Sequence, residues 1–419
     1  MKVFSPHWLA SLRLWLPAFI CLFCLCFGMG MTSIFGFFIN PVAAEFSLNV
    51  ATVTLAPVLF LLVPALVAPF IGRLADALPA KRLMLFGVLV MSFALYGISL
   101  VSSPQAALLG FFFFVLGLTL CGPAVINAFL IKLYQLHSGR ALAIAAMGLS
   151  LATVILPIAV ADLLRRGSWQ SALAEMAVIL SLLLLPLIIF GLPASNRPLS
   201  GVDLQPNSPS EEGLASGFFR RLEFWLIGLG AAAILNVALV MGICYPPHLQ
   251  NIGLDLSAVA TVMAVGGIGG FFGKFLAAAK IDQLRAQIKY IAMAVPLLKV
   301  AGLLLLLHSD GFYGIVLAAF FIGMGSGGFI PLHAVLNACY FDSAVAGRVN
   351  GAQMPLFLPL GLIGPPLAGY IYDSSGSYAP MLWVLCAVLL VGVLLLALLP
   401  RSSVAAVHPI QAEVATRSG

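Results

Sequence analysis

Apolar runs, each long enough to cross a bilayer as a helix, alternate with short polar or turn-forming breaks along the whole chain. A membrane helix needs about 20 mainly apolar residues, because hydrocarbon offers nothing to pair with exposed backbone. Six such segments are predicted near residues 14–38, 50–71, 83–101, 105–131, 140–163 and 170–192, and six more near 222–245, 256–280, 288–307, 312–338, 346–371 and 379–399. The Pro246-Pro247-His248 sequence is expected to end the seventh. One long polar stretch, Pro193–Arg221, separates the two sets and contains Asn196, Arg197, Pro198, Asp203, Asn207, Glu211 and Glu212. The expected organisation is an all-α membrane protein: a six-helix bundle over 1–192, a cytoplasmic linker over 193–221, a second six-helix bundle over 222–400 and a cytoplasmic tail over 401–419.

Composition strengthens this reading. Of 419 residues 62% are hydrophobic and 8% charged, whereas a soluble domain is about half apolar and a quarter charged. No water-soluble surface can be built from so few polar residues. Soluble enzymes, nucleic-acid binders and disordered chains are excluded, and the net charge of +6 is a matter of topology rather than of a nucleic-acid partner. With the N-terminus placed in the cytoplasm, sixteen of the 20 Lys and Arg fall on inner segments, Arg165 and Arg166 on an outer one, and Lys274 and Lys299 within spans. That bias follows the positive-inside rule and puts both termini in the cytoplasm. Lys2 and Arg13 before the first apolar run imitate a secretory signal, but the run is too long and more spans follow, so a retained helix is expected. The seven cysteines all sit in apolar runs, where they act as small hydrophobes; no metal site and no cofactor is predicted.

The two halves resemble each other. At an offset of 208 residues Gly117 matches Gly325, Pro123 matches Pro331, Gly139 matches Gly347, Arg140 matches Arg348 and Pro157 matches Pro365. Slightly shifted, Gly72-Arg73-Leu-Ala-Asp76 falls opposite Ala278-Ala-Lys-Ile-Asp282. Duplicated halves can rock about a shared midplane site, which gives alternating access.

The segment Gly72-Arg73-Leu-Ala-Asp76-Ala-Leu-Pro-Ala-Lys81-Arg82, between spans two and three, resembles the loop signature of the major facilitator superfamily, Gly-x-x-x-Asp-(Arg/Lys)-x-Gly-(Arg/Lys)-(Arg/Lys). It departs at Ala77, where a base is usual, and at Pro79, where glycine is usual. The resemblance implies the major facilitator fold, with Gly72, Arg73, Asp76, Lys81, Arg82, Asp282, Arg140 and Arg348 as gating residues. Finer resemblance is to the monocarboxylate-porter and oxalate–formate-antiporter branch. It is carried by Phe35-Gly-Phe-Phe38 with Glu45-Phe46, Gly139-Arg140-Ala-Leu-Ala, Gly167-Ser-Trp169, Gly273-Lys274, Gly364-Pro365-Pro366-Leu-Ala-Gly369-Tyr-Ile-Tyr-Asp373 and Gly376-Ser-Tyr378.

Charges at membrane depth need a reason, since each costs about 2.5–3.5 kcal/mol on insertion scales. Lys274 follows a stripe of small residues, Gly266/Gly270 and Gly269/Gly273, which permits tight helix contact and turns the ammonium toward the bundle interior. In the resembled branch this position carries the cation that pairs with the substrate carboxylate; the bland alternative is snorkelling to the inner headgroups beside Lys280. Lys299 is expected to pair with carbonyls or a neighbouring helix, and Glu175 to lie at the outer interface near Arg165 or Arg166, with proton relay the less favoured role. His333 can carry a proton near neutral pH or serve as a hydrogen-bonded packing histidine. His333, Asn127, Asn236 and Tyr245 are candidate substrate contacts beside Lys274, and Asn350 and Gln353 are further polar groups on helices expected to face a cavity; individually, the asparagines, Tyr245 and Gln353 are equally suited to hold helices together.

Spans one, four, seven and ten lack an acidic residue in their interiors, where pumps of cationic drugs tend to place one, and the deep charges favour an anion. The expected function is secondary transport of a small organic anion, a monocarboxylate or related acid, coupled to protons or to anion exchange. The alternative is export of a neutral or amphipathic organic compound such as a metabolite, siderophore or toxicant. The partners expected are a small-molecule substrate and the lipid bilayer, for a monomer in a bacterial inner membrane.

Overall fold

The computed structural model describes residues 6–134, 138–194, 217–280, 287–341 and 343–400. The linker residues 195–216 and the tail 401–419 lie outside the described residues, as does Asp282. The described residues carry helix and no strand, and twelve helical segments are long and apolar enough to span a membrane. The protein is an integral multi-pass membrane protein.

Sixteen α-helices make up these spans. In the first half they are α1 (Pro6–Phe27), α2 (Gly36–Glu45), α3 (Val50–Val53), α4 (Leu59–Ala77), α5 (Ala80–Leu100), α6 (Pro104–Leu120), α7 (Pro123–Tyr134), α8 (Ser138–Arg166) and α9 (Trp169–Gly191). In the second they are α10 (Leu222–Asn251), α11 (Leu256–Lys280), α12 (Ile288–His308), α13 (Phe312–Phe341), α14 (Ser343–Gln353), α15 (Leu358–Ser375) and α16 (Ala379–Ala397).

Four spans predicted as continuous runs are broken helices. The first passes from α1 to α2 through a 3-10 turn at Met29–Ser33, where the Thr32 hydroxyl donates to Met29 O (2.7 Å) and the Ser33 hydroxyl to Gly30 O (2.6 Å). The second breaks at Ala56–Val58 around Pro57. The fourth breaks between α6 and α7 before Pro123, and the eleventh at Met354–Phe357 around Pro355. Proline cannot donate to the helix ladder, and a break is tolerable at membrane depth only where other groups take up the freed backbone. The Pro246-Pro247 pair corrects the expectation in the opposite sense. The seventh span does not end there; α10 continues to Asn251 with both prolines inside it, since a proline φ suits the helix and membrane helices tolerate the lost ladder bond and local distortion.

Contacts divide the chain into two compact units: Met1–Asn207 with Tyr245–Ala260, and Ser208–Cys244 with Thr261–Gly419. Within the first, α5 packs on α6 and α9, and α1 on α8. Within the second, α12 packs on α13 and α16. The two cores reuse one crossing. A Cβ on Gly117 would lie 2.7 Å from Gly87 O and from Met91 N; one on Gly325 would lie 2.7 Å from Lys299 Cβ and 2.9 Å from Val295 O. These positions are related by the 208-residue offset, so Lys299 takes the place that Met91 takes in the other half.

Helix ends are repeated too. Lys81 Nζ donates to Ile189 O (2.6 Å) and Leu192 O (2.9 Å) at the C-terminus of α9. Lys289 Nζ, 208 residues on, donates to Leu399 O after α16. A cation suits a helix C-terminus, where the carbonyls lack partners and the dipole is negative. On the short connection before α11, Asp255 caps the helix by accepting from Ala258 N (3.1 Å) and from the Ser257 hydroxyl. The same bonds hold its carboxyl below the usual range.

Candidate substrate site and gating residues

The glycines before Lys274 do what their spacing implied. A Cβ on Gly269 or Gly273 would run into the carbonyls of Phe320 and Met324 on α13, and one on Gly323 or Gly327 into those of Gly266 and Gly270 on α11. The two backbones touch, as small-residue motifs allow. At 100° per residue, Lys274 sits at the margin of this contact face, away from Phe272, Phe275 and Leu276, which are exposed. Its side chain is half-buried.

One turn and more along α13, a buried polar network takes shape. His333 Nε2 donates to Gln353 Oε1 at 2.9 Å, a choice of tautomer fixed by the acceptor. Gln353 Oε1 also accepts from Asn337 Nδ2 at 2.8 Å. Gln353 Nε2 donates to Phe224 O at 3.0 Å, and Asn337 Nδ2 also reaches Asn350 Oδ1. Helices α10, α13 and α14 are thus joined by side chains buried to 7% exposure or less, Asn350 excepted. Asn236 on α10 donates to Phe357 O (2.9 Å) and to Ala232 O (2.9 Å). It takes up a carbonyl at the break in the eleventh span, the helix-holding alternative of its two expected roles.

The remaining candidates are dispersed. Tyr245 is buried, and its hydroxyl lacks a hydrogen-bond partner among the described residues. Asn127 on α7 and Glu175 on α9 are exposed. Arg166, expected near Glu175, pairs instead with Asp162 one turn earlier on α8. Gly72, Arg73 and Asp76 lie in the last turns of α4, and their side chains are outside the described residues. Arg82, Arg140 and Arg348 are exposed, whereas Lys81 is spent on the end of α9. Lys299 corrects its expectation. It is fully buried, and its ammonium nitrogen has no hydrogen-bond partner among the described residues, so the expected carbonyl or helix pairing is not made within them.

Sequence reasoning singled out His333 without its acceptor. It also passed over Lys289, which the 208-residue offset from Lys81 would have revealed.

Two broken six-span halves with mutually equivalent crossings and helix caps meet the pattern of Major Facilitator Superfamily proteins, whose family profile matches residues 18–361. The chain belongs to the major facilitator superfamily. It is 22% identical over 374 residues to the MFS-type transporter YcxA of Bacillus subtilis, covering 86% of this chain and 89% of that one. It is 26% identical over 270 residues to monocarboxylate transporter 11 of Mus musculus, covering 62% of this chain and 59% of the relative. Its fold is similar to that of a bacterial homologue of the human lysosomal transporter Spinster, with TM-score 0.65, 16% identity and 95% of each chain covered. It is also similar to that of a D-xylose–proton symporter, with TM-score 0.67, 12% identity, and 95% of this chain and 99% of that one covered. As a member of this superfamily the protein is a secondary transporter that binds a small molecule within the membrane and works by alternating access. It is not an enzyme.

Proposed function

We propose that this major facilitator protein carries a small organic anion, a monocarboxylate or related organic acid, and that Lys274 pairs with the substrate carboxylate. The observation that carries the reading is a half-buried lysine at the edge of the α11–α13 contact, in a span where a charge costs about 2.5–3.5 kcal/mol and is kept where function needs it. The name of the monocarboxylate transporter relative is consistent with the same substrate class. Lysine supplies a point charge without the bidentate fork of arginine, so carboxylates of varied shape can be accepted. The His333–Gln353–Asn337 network, whose His333 and Asn337 lie on α13 like the glycines that meet Lys274's helix, is the candidate for coupling, with His333 the proton-binding group. The distribution of Lys and Arg supports cytoplasmic termini, and the short loops between spans support a bacterial inner membrane.

The test is uptake of labelled monocarboxylates by proteoliposomes. Lys274→Ala is expected to lower uptake at least tenfold while the variant melts like the wild type, and Lys274→Arg to keep most of it. Undiminished uptake by Lys274→Ala refutes the proposal.

A further inference from the structure

Gln353 is the last residue of α14, at the break in the eleventh span, and it is fully buried. Four hydrogen-bonding contacts surround its amide. Nε2 donates to Phe224 O (3.0 Å) and to Asn337 Oδ1 (3.3 Å), while Oε1 accepts from Asn337 Nδ2 (2.8 Å) and faces His333 Nε2 (2.9 Å). A side-chain amide has two donor hydrogens and two acceptor lone pairs, so no capacity is left over. Its orientation is set from α10. Phe224 O is a backbone carbonyl and can only accept. Turning the amide over would put oxygen against oxygen there and set two NH2 groups against each other at Asn337. The amide oxygen therefore faces His333, and the imidazole nitrogen opposite it must carry hydrogen. Asn337 Nδ2 also stands 3.4 Å from His333 Nε2. Its two hydrogens go to Gln353 Oε1 and Asn350 Oδ1, so it does not compete for a lone pair on the ring.

We propose that Gln353 is a positioning residue for proton binding: it holds the hydrogen of the neutral His333 ring on Nε2, so that the proton His333 gains and releases is carried on Nδ1. The role rests on the reading of His333 as the coupling group, and adds to it the atom and the residue that selects it. The opposite tautomer would face a lone pair toward the amide oxygen and forfeit a buried hydrogen bond, a disadvantage of about tenfold in population. Protonation forms an N–H bond at Nδ1 and breaks none of the contacts at Nε2; release reverses it. In the cation the Nε2–H···Oε1 bond is charge-assisted and stronger. The link between α13 and α14 therefore survives both charge states, and the buried amides need not rearrange when the proton moves. The groups facing the ring are the amides of Gln353 on α14 and Asn337 on α13 itself, and the Phe357 ring at 5.9 Å; no charged group acts on it among the described residues.

The test is solid-state nitrogen and carbon NMR of the full chain, labelled at histidine, in proteoliposomes across a pH series. The His333 signals are picked out from those of the six histidines by their loss in His333→Gln. While the ring is neutral, the protonated nitrogen should be the one bonded to Cδ2, which is Nε2, with no averaging between tautomers. On acidification the new N–H should appear on Nδ1 while Nε2–H is retained. Gln353→Met keeps the length of the side chain and removes the amide, so it should raise the Nδ1–H fraction of the neutral ring about tenfold, with the melting temperature reporting the fold. The wild-type spectra decide the matter even where that variant does not fold. A neutral ring protonated at Nδ1, averaged tautomers in the wild type, or a tautomer that Gln353→Met leaves unchanged overturns the proposal. Uptake is measured separately: a His333→Gln protein that keeps the wild-type pH dependence of transport overturns the coupling reading, and with it the transport role of Gln353, whatever the tautomer.

Discussion

Lys299 shows how a duplicated fold exposes the cost of a single side chain. It occupies the same helix crossing as Met91, both are fully buried, and the two side chains are of similar length. Methionine meets the apolar surroundings with no polar group to satisfy. The lysine nitrogen, without a hydrogen-bond partner among the described residues, carries an unrecovered desolvation penalty of about 1–3 kcal/mol. Lys299→Met is therefore expected to stabilise the protein by about that amount, read as a rise in melting temperature in detergent, and to leave transport within twofold. A fall in melting temperature would mean that the amine is satisfied by a group outside the described residues. The sequence marks Lys299 as anomalous, because a mid-span charge stands out against apolar neighbours. It does not say whether the charge is paired, since that depends on which way a four-carbon stem runs between two helices.

The same division between pattern and partner holds for whole helices. Twelve spans are readable because hydrocarbon imposes one rule, length and apolarity, that the chain must display locally. The breaks are harder to read. Pro157 and Pro331 sit inside continuous helices, while Pro57, Pro123 and Pro355 mark interruptions. The outcome turns partly on donors elsewhere, such as Asn236, which reaches Phe357 O from a helix 121 residues away in sequence. The glycine stripe on α11 was legible from its spacing, whereas its partner surface on α13, Gly323 and Gly327, required the structure. That contact yields a prediction. Gly323→Val would drive side-chain atoms into the Gly266 backbone and should cost about 1–3 kcal/mol by overpacking, seen as a lower melting temperature and less monodisperse protein. Gly351→Ala, in α14, whose added Cβ meets nothing within 4 Å, is the control and should keep or raise the melting temperature, since alanine suits a helix interior better than glycine. Equal melting of the two variants would mean that α11 and α13 are held apart.

At the scale of the whole molecule, repetition governs what each half can do, and energetics governs what the pair can carry. Lys81 and Lys289 cap the last span of their respective halves in the same way. Alternating access in a duplicated carrier requires one repeat to move against the other as a body. The proposed cargo then constrains the cycle. A carboxylate with a pKa of about 4 is almost wholly ionised at neutral pH, and a negative-inside potential opposes its entry by about 2.3 kcal/mol per 100 mV. Uncompensated uptake at 100 mV would thus leave the acid about fifty-fold more dilute inside than out, since each 1.4 kcal/mol is a factor of ten. A co-transported proton or an exchanged anion removes that penalty by making the net movement of charge zero. Proteoliposomes are accordingly expected to accumulate monocarboxylate when the interior is made alkaline or preloaded with a second carboxylate. A potassium-diffusion potential of either sign should change the initial rate by less than twofold. If an inside-positive potential alone drove accumulation, with pH equal on both sides and no counter-anion present, the anion would be crossing unaccompanied, and Lys274 would be neutralising a charge that the membrane still has to move.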